Sequence, residues 1–130
     1  MTENGKVMLV TGGSRGIGAA TVRLAAKRGY RVAFCYRSSK EMADRLVDDV
    51  KGQGGEALAL EADVSDAQAV SALFRRIDEA WGRLDALVNN AGIVGPRLEI
   101  DALTPADFTQ VLGVNLLGPL MCCQEALLRM

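Results

Sequence analysis

Histidine is absent from this 130-residue chain. That absence removes Ser-His-Asp and Cys-His nucleophilic catalysis, imidazole acid–base chemistry and every histidine-ligated metal site, so no metal ligands are assigned. An excess of one charge is also lacking: 15 Lys and Arg stand against 16 Asp and Glu, a formal net charge of −1. No global field draws the chain to nucleic acid or to an anionic membrane, and neither is expected as a partner. No apolar run is long enough to span a bilayer, and the polar residues 1–6 do not have the form of a signal peptide. Cysteine is scarce, with Cys35 and the adjacent pair Cys122 and Cys123. An odd count with an adjacent pair does not resemble a disulfide framework, so a reducing, cytoplasmic compartment is expected. Repeats, low-complexity tracts and domain linkers are missing as well. What is there is 49% hydrophobic and 24% charged residues, an ordinary globular composition. A chain of this length suits one domain with a real core.

Apolar runs alternate with helical periods from the start. Residues 6–11 form a short apolar run closed by Gly12 and Gly13, which predicts a buried strand. Helical spacing follows over 15–29, then a β-like run over 31–36. Apolar residues at 42, 43, 46, 47 and 50 predict one helix face over 41–50, and 56–60 a third strand. Ser65 to Gln68 has capping-box spacing and predicts a helix running to Trp81. A fourth strand is expected over 84–89 and a longer loop over 91–103. Thr104 and Pro105 supply an N-cap and a first-turn proline for a helix continuing to residue 130. Alternation of this kind with short connections gives an α/β fold with a parallel sheet and helices on both faces. Loops at the carboxyl ends of its strands form the ligand crevice.

The turn after the first strand reads Thr11-Gly-Gly-Ser-Arg-Gly-Ile-Gly18. Gly12, Gly16 and Gly18 let backbone N–H groups approach a pyrophosphate and let the helix pack closely on the sheet. Free N–H groups and the dipole at the helix start favour an anion there. No Gly-Lys-Ser/Thr follows, so a P-loop is excluded. An NAD site places an acid about 20 residues beyond such a turn to hold the ribose 2′-OH. Here Tyr36-Arg37-Ser38 stands at the end of the second strand, and the nearest acid, Glu41, lies in the next helix. Arg37 and Arg15 suit a 2′-phosphate, with Ser38 as a further donor. The expected cofactor is therefore NADP(H) in preference to NAD(H).

Asn115 is a poor mid-helix residue. Pro119, four residues on, has no N–H to give the Asn115 carbonyl, and Gly113 and Gly118 loosen the same turn. A kink with a free carbonyl is expected.

Four segments together resemble the classical short-chain dehydrogenase/reductase family. They are the Thr11–Gly18 glycine turn, Asp63-Val64 after the third strand, Asn89-Asn90-Ala91-Gly92 after the fourth, and Asn115. The resemblance covers the whole chain but only the first half of the family's usual length. It implies a Rossmann-type doubly wound parallel sheet, cut after about four strands, with residues 1–130 as the NADP(H)-binding part of a longer domain. It further implies cofactor contacts from Gly12, Ser14, Arg15, Gly16, Ile17, Gly18, Tyr36, Arg37 and Ser38. Asp63 would bond the adenine amino group, Val64 would flank the ring, and Asn89, Asn90, Ala91 and Gly92 would brace the central strands and line the ribose. The Asn115 carbonyl would hold a water in the proton relay of catalysis. The implied reaction is hydride transfer between nicotinamide and a small-molecule carbonyl or secondary alcohol, in a homodimer or homotetramer.

The family's catalytic Ser and Tyr-x-x-x-Lys do not occur at a matching place. The literal Tyr36 to Lys40 spacing lies at the end of the second strand, on the phosphate side. The chain stops within amphipathic helix, and its fourth strand is left as an edge, so a truncated chain, inactive alone and prone to self-association, is expected. A non-catalytic nucleotide-binding or sensor module stands as the alternative. A flavodoxin-like phosphate binder is a weaker one, opposed by Asp63 and the Asn-Asn-Ala-Gly segment.

Overall fold

The computed structural model describes residues 4–130. Four strands form one parallel sheet: β1 Val7–Val10, β2 Arg31–Tyr36, β3 Glu56–Glu61 and β4 Ala86–Val88. Their order is β3-β2-β1-β4, so the chain steps outward from β1 to β3 and then returns to the other side of β1. This is the Rossmann-type α/β arrangement, and its crevice opens where the order reverses, at the carboxyl ends of β1 and β4.

The apolar runs are continuous because both sheet faces are covered. Against one face pack α1 (Gly16–Lys27) and α2 (Lys40–Gly52), which bury Ala19, Val22, Ala43 and Leu46 on Val10, Val32 and Phe34. Against the other pack α3 (Ala67–Trp81) and α5 (Gly118–Leu127), burying Leu73, Phe74, Ile77, Cys122 and Ala126 on Val7, Leu9, Ala33 and Cys35. Alternate residues of β2 serve opposite cores, as the pleat requires.

Three expectations change in detail. The α3 cap is Asp66, whose carboxylate accepts from Gln68 N at 3.0 Å. Ser65 instead donates its hydroxyl to Asp63 at 2.7 Å, because a carboxylate is the stronger acceptor. The strand over 84–89 shortens to Ala86–Val88, since Asp85 turns its carboxylate to Val7 N and Arg83. The last helix is interrupted: α4 (Pro105–Leu112) passes through a π turn, Gly113–Leu117, into α5, which stops at Leu127. The expected kink is thus a π turn, the wider i→i+5 pattern that accommodates a missing proline N–H. Gly113 and Gly118 do more than loosen it. A Cβ on Gly118 would stand 2.8 Å from the Val64 side chain, and one on Gly113 would stand 3.2 Å from Ser65 Cβ. The glycines let this turn lie directly on the loop after β3. The start of α4 is as expected, with Thr104 and Asp107 in a reciprocal capping box.

Candidate functional site: a cleft at the carboxyl ends of the strands

Thr11 closes β1 and is only 2% exposed. Its hydroxyl accepts from both Asn90 N and Ala91 N at 3.0 Å, and its own N–H donates to the Val88 carbonyl. The Asn90 amide donates back to the Thr11 and Gly12 carbonyls at 3.1 and 2.9 Å. One hydroxyl and one amide therefore tie the glycine turn to the loop after β4. Gly12 and Gly16 adopt left-handed φ of 64° and 58°. At Gly12 a Cβ would also meet Ala91 Cα at 2.9 Å, so glycine is required there by conformation and by space. Gly18 is required by space: a Cβ would overlap the Gly12 carbonyl and stand 2.6 Å from the Asn90 amide. Gly13, which the motif spacing left out, is seated on Phe34 and donates its N–H to the Cys35 carbonyl.

The first turn of α1 has no acidic residue, and its N-cap, Arg15, offers no side-chain acceptor to the N–H groups. In front of it lies a cleft of about 440 Å³. Its walls are Gly12, Ser14 and Arg15 from the glycine turn, and Tyr36, Arg37 and Ser38 beyond β2. They continue through Asp63 and Val64 after β3 to Asn90, Ala91 and Gly92 after β4. Four separated segments line this one cleft. Five further residues join them: Cys35, Ser39, Ala62, Ile93 and Val114. These are mostly buried or small, and no motif marks them. Burial pushes the Cys35 thiol up, so it behaves as an inert wall.

Gly16, Ile17, Gly18, Asn89 and Asn115 lie outside the cleft's walls. Gly18 is packed beneath the turn, whereas Ile17 is 81% exposed. Asn89 turns its amide to Cys123 Sγ at 3.5 Å, towards α5. The Asn115 side chain pairs with one backbone unit, accepting from Ile93 N and donating to Ile93 O, both at 2.8 Å. It staples the π turn to the loop after β4, a side-chain role not legible in the helix pattern.

Asp63 organises the adjacent wall. Its Oδ1 accepts from the Ser65 hydroxyl at 2.7 Å and the Ser65 N–H at 3.0 Å, while Oδ2 faces Arg37 at 3.4 Å. The Ser65 hydroxyl, outweighing partial burial, holds the Asp63 carboxyl below its usual range, with Arg37 as a smaller contributor. Lys40 is occupied elsewhere: its Nζ donates to Asp44 at 2.8 Å, so the Tyr36 to Lys40 spacing does not form a tyrosine–lysine pair of the catalytic kind. Among the described residues no cluster of three or more His, Cys, Asp or Glu could hold a metal. No described helix is long and apolar enough to cross a membrane.

A family model for short chain dehydrogenases matches residues 6–130. The chain belongs to the short-chain dehydrogenase family. Among curated relatives it is 44% identical over 124 residues to an uncharacterised oxidoreductase, YgfF, of Escherichia coli, covering 95% of this chain and 50% of that one. It is 40% identical over 121 residues to the 3-oxoacyl-[acyl-carrier-protein] reductase FabG of Staphylococcus aureus, covering 93% of this chain and 49% of that one. The chain thus spans about half the length of the curated relatives it matches. A short-chain dehydrogenase from Burkholderia cenocepacia, solved with NADP, superposes with a TM-score of 0.93 at 42% identity, covering 98% of this chain and 51% of that one. A short-chain dehydrogenase/reductase from Serratia marcescens gives 0.95 at 39% identity over 100% of this chain and 53% of that one. Membership agrees with the Rossmann-type fold described above.

Proposed function

We propose that this chain is the cofactor-binding half of an NADP(H)-dependent oxidoreductase acting on a small-molecule carbonyl or secondary alcohol. The observation that carries the reading is the cleft itself. Ser14 and Arg15 of the glycine turn line it together with Arg37 and Ser38 beyond β2. Basic and hydroxyl side chains suited to an anion thus share one cleft of about 440 Å³ with Asp63 and Val64. The turn fits the group: the first turn of α1 carries no acidic residue and no side-chain cap takes up its N–H groups, which suits an anion. When bound, the nicotinamide supplies or accepts the hydride. The residues of this chain bind and orient it, and the Asn115 carbonyl is assigned to the proton relay.

In this reading residues 1–130 are part of a longer catalytic domain, acting as a cytoplasmic homodimer or homotetramer, and binding in this chain is separable from turnover. NADPH is expected to bind more tightly than NADH, by about tenfold for one charge-assisted phosphate contact. Arg37→Ala is expected to remove most of that preference. Titration by cofactor fluorescence measures both. Equal affinities for the two cofactors, or a preference that survives Arg37→Ala, would overturn the arginine assignment. Steady turnover by the 130-residue chain would overturn the separation of binding from catalysis.

A further inference from the structure

Arg37 faces two claimants. In the reading above it serves a 2′-phosphate, yet in the structure its NH2 lies 3.4 Å from Asp63 Oδ2. A carboxylate able to grip a guanidinium with both oxygens would neutralise the cation and repel the incoming phosphate. The pair does not take that form. Asp63 Oδ1 is withheld by two donors from Ser65, the hydroxyl at 2.7 Å and the N–H at 3.0 Å. Only one oxygen is left for Arg37, at a length beyond a good charge-assisted bond. Arg37 keeps most of its donors for the cleft and remains about half exposed. Ser65 itself does not line the cleft, and the helix cap that its position suggests is performed by Asp66. The Ser65 side chain is therefore not needed to start α3.

We infer that Ser65 is a positioning residue for cofactor selectivity: by tethering one oxygen of Asp63, it holds that carboxylate to a single-oxygen contact and keeps Arg37 available to a 2′-phosphate. The inference rests on the NADP(H) reading and adds to it a residue outside the cleft. It makes opposite predictions for two neighbouring substitutions. Ser65→Ala leaves Asp63 Oδ1 only the backbone N–H of residue 65, so the loosened carboxylate turns towards Arg37 with both oxygens, and NADPH binding weakens while NADH binding stays the same. Asp63→Asn removes the competing charge while keeping an acceptor for Ser65, and the preference for NADPH rises. Any adenine contact made by Asp63 is common to both cofactors and cancels in the ratio of their dissociation constants.

The test is that ratio, measured by fluorescence titration of the protein and its Ser65→Ala, Ser65→Thr, Asp63→Asn and Arg37→Ala variants, with thermal melting alongside. Ser65→Ala is expected to lower the NADPH preference about fivefold, the scale of one exposed ion pair. Ser65→Thr, which keeps the hydroxyl, is expected to retain it, and Asp63→Asn to raise it. If Arg37→Ala abolishes the preference but Ser65→Ala leaves it intact, the inference fails and the NADP(H) reading stands. If Ser65→Ala weakens both cofactors equally, or Asp63→Asn lowers the ratio, Ser65 is structural only and the inference fails. If Arg37→Ala changes nothing, the reading and the inference fall together.

Discussion

At the scale of single residues, the glycine turn separates two reasons for glycine that a motif treats as one. Gly16 has a left-handed φ of 58° and open space on the side where a Cβ would stand, so an alanine there meets only backbone strain. That costs about 1–2 kcal/mol. Gly18 has an ordinary backbone, but a Cβ would strike the Gly12 carbonyl and the Asn90 amide that spans β1 and β4. Gly18→Ala is expected to cost about 1–3 kcal/mol from overpacking, and to loosen the cleft by displacing Asn90. Urea unfolding of the two variants measures the costs, and NADPH titration separates them further. Gly16→Ala retains Asn90's bridge, whereas Gly18→Ala loses affinity beyond what its stability change requires. Equal loss of affinity in both would show that the Asn90 bridge does not shape the site. The sequence showed both glycines but not which constraint acts on which. Spacing reveals where side chains are excluded, and only the fold reveals what excludes them. Thr11 and Asn90 are similar: both sit in recognisable motifs, but their reciprocal bonds join residues 79 positions apart.

Among elements, the regular ones were legible because their periods are simple. β2 falls on residues 31–36 as its apolar run predicts, and the amphipathic α2 and α3 lie within two residues of expectation. The π turn was legible only as a disturbance, since Asn115, Pro119 and two glycines mark a break without fixing its form. The end of α5 was not legible, because it depends on a partner far along the chain. Arg129 donates to both oxygens of Asp78 on α3 at 2.8 Å, bonds Glu125 at 2.8 Å, and lies over the Phe74 ring at 5.2 Å. This fork holds the end of α5 on α3 with the Arg129 side chain only 17% exposed. Arg129 in turn holds the Asp78 carboxyl below its ordinary range, as Arg83 does for Asp85. A carboxyl with a lowered native pKa binds protons less readily folded than unfolded. Its contribution is complete above the ordinary aspartate value and is lost as pH falls through the native one. Stability is therefore expected to decline below about pH 4. Arg129→Lys, which keeps the charge but not the fork, should cost about 1 kcal/mol after solvent screening of the half-exposed Asp78. Asp78→Asn should flatten the acid limb of the stability curve. An unchanged limb in that variant, read by urea melts across the acid range, would remove the fork as its source.

For the whole molecule, the alternation of strand and helix indicated a parallel α/β sheet, and topological rules supplied the crossovers. The order β3-β2-β1-β4 was beyond reach of periodicity, because nothing local tells β4 to pair with β1 instead of β3. That order has a consequence for association. It leaves β4, three residues long, at one edge of the sheet, with α5 beside it. Along α4, the π turn and α5, the apolar side chains Phe108, Leu112, Leu116 and Leu120 recur every four residues, and each is 42–54% exposed. Singly exposed apolar residues need no explanation, but four along one helical run are a candidate association surface. In the 130-residue chain this surface faces water, so copies of the chain should bury it against one another. The weight-average mass in sedimentation equilibrium is expected to rise with concentration. The double variant Leu116→Glu, Leu120→Glu is expected to hold it at 13.8 kDa, the mass of one copy. Neither leucine lines the cleft, so NADPH affinity per chain should be the same in the double variant. A wild-type chain that stays at one copy across the accessible range would show that half-exposed leucines at this spacing are too weakly apolar to drive association. An association that survives both glutamates would place the contact elsewhere, with the β4 edge the next surface to test.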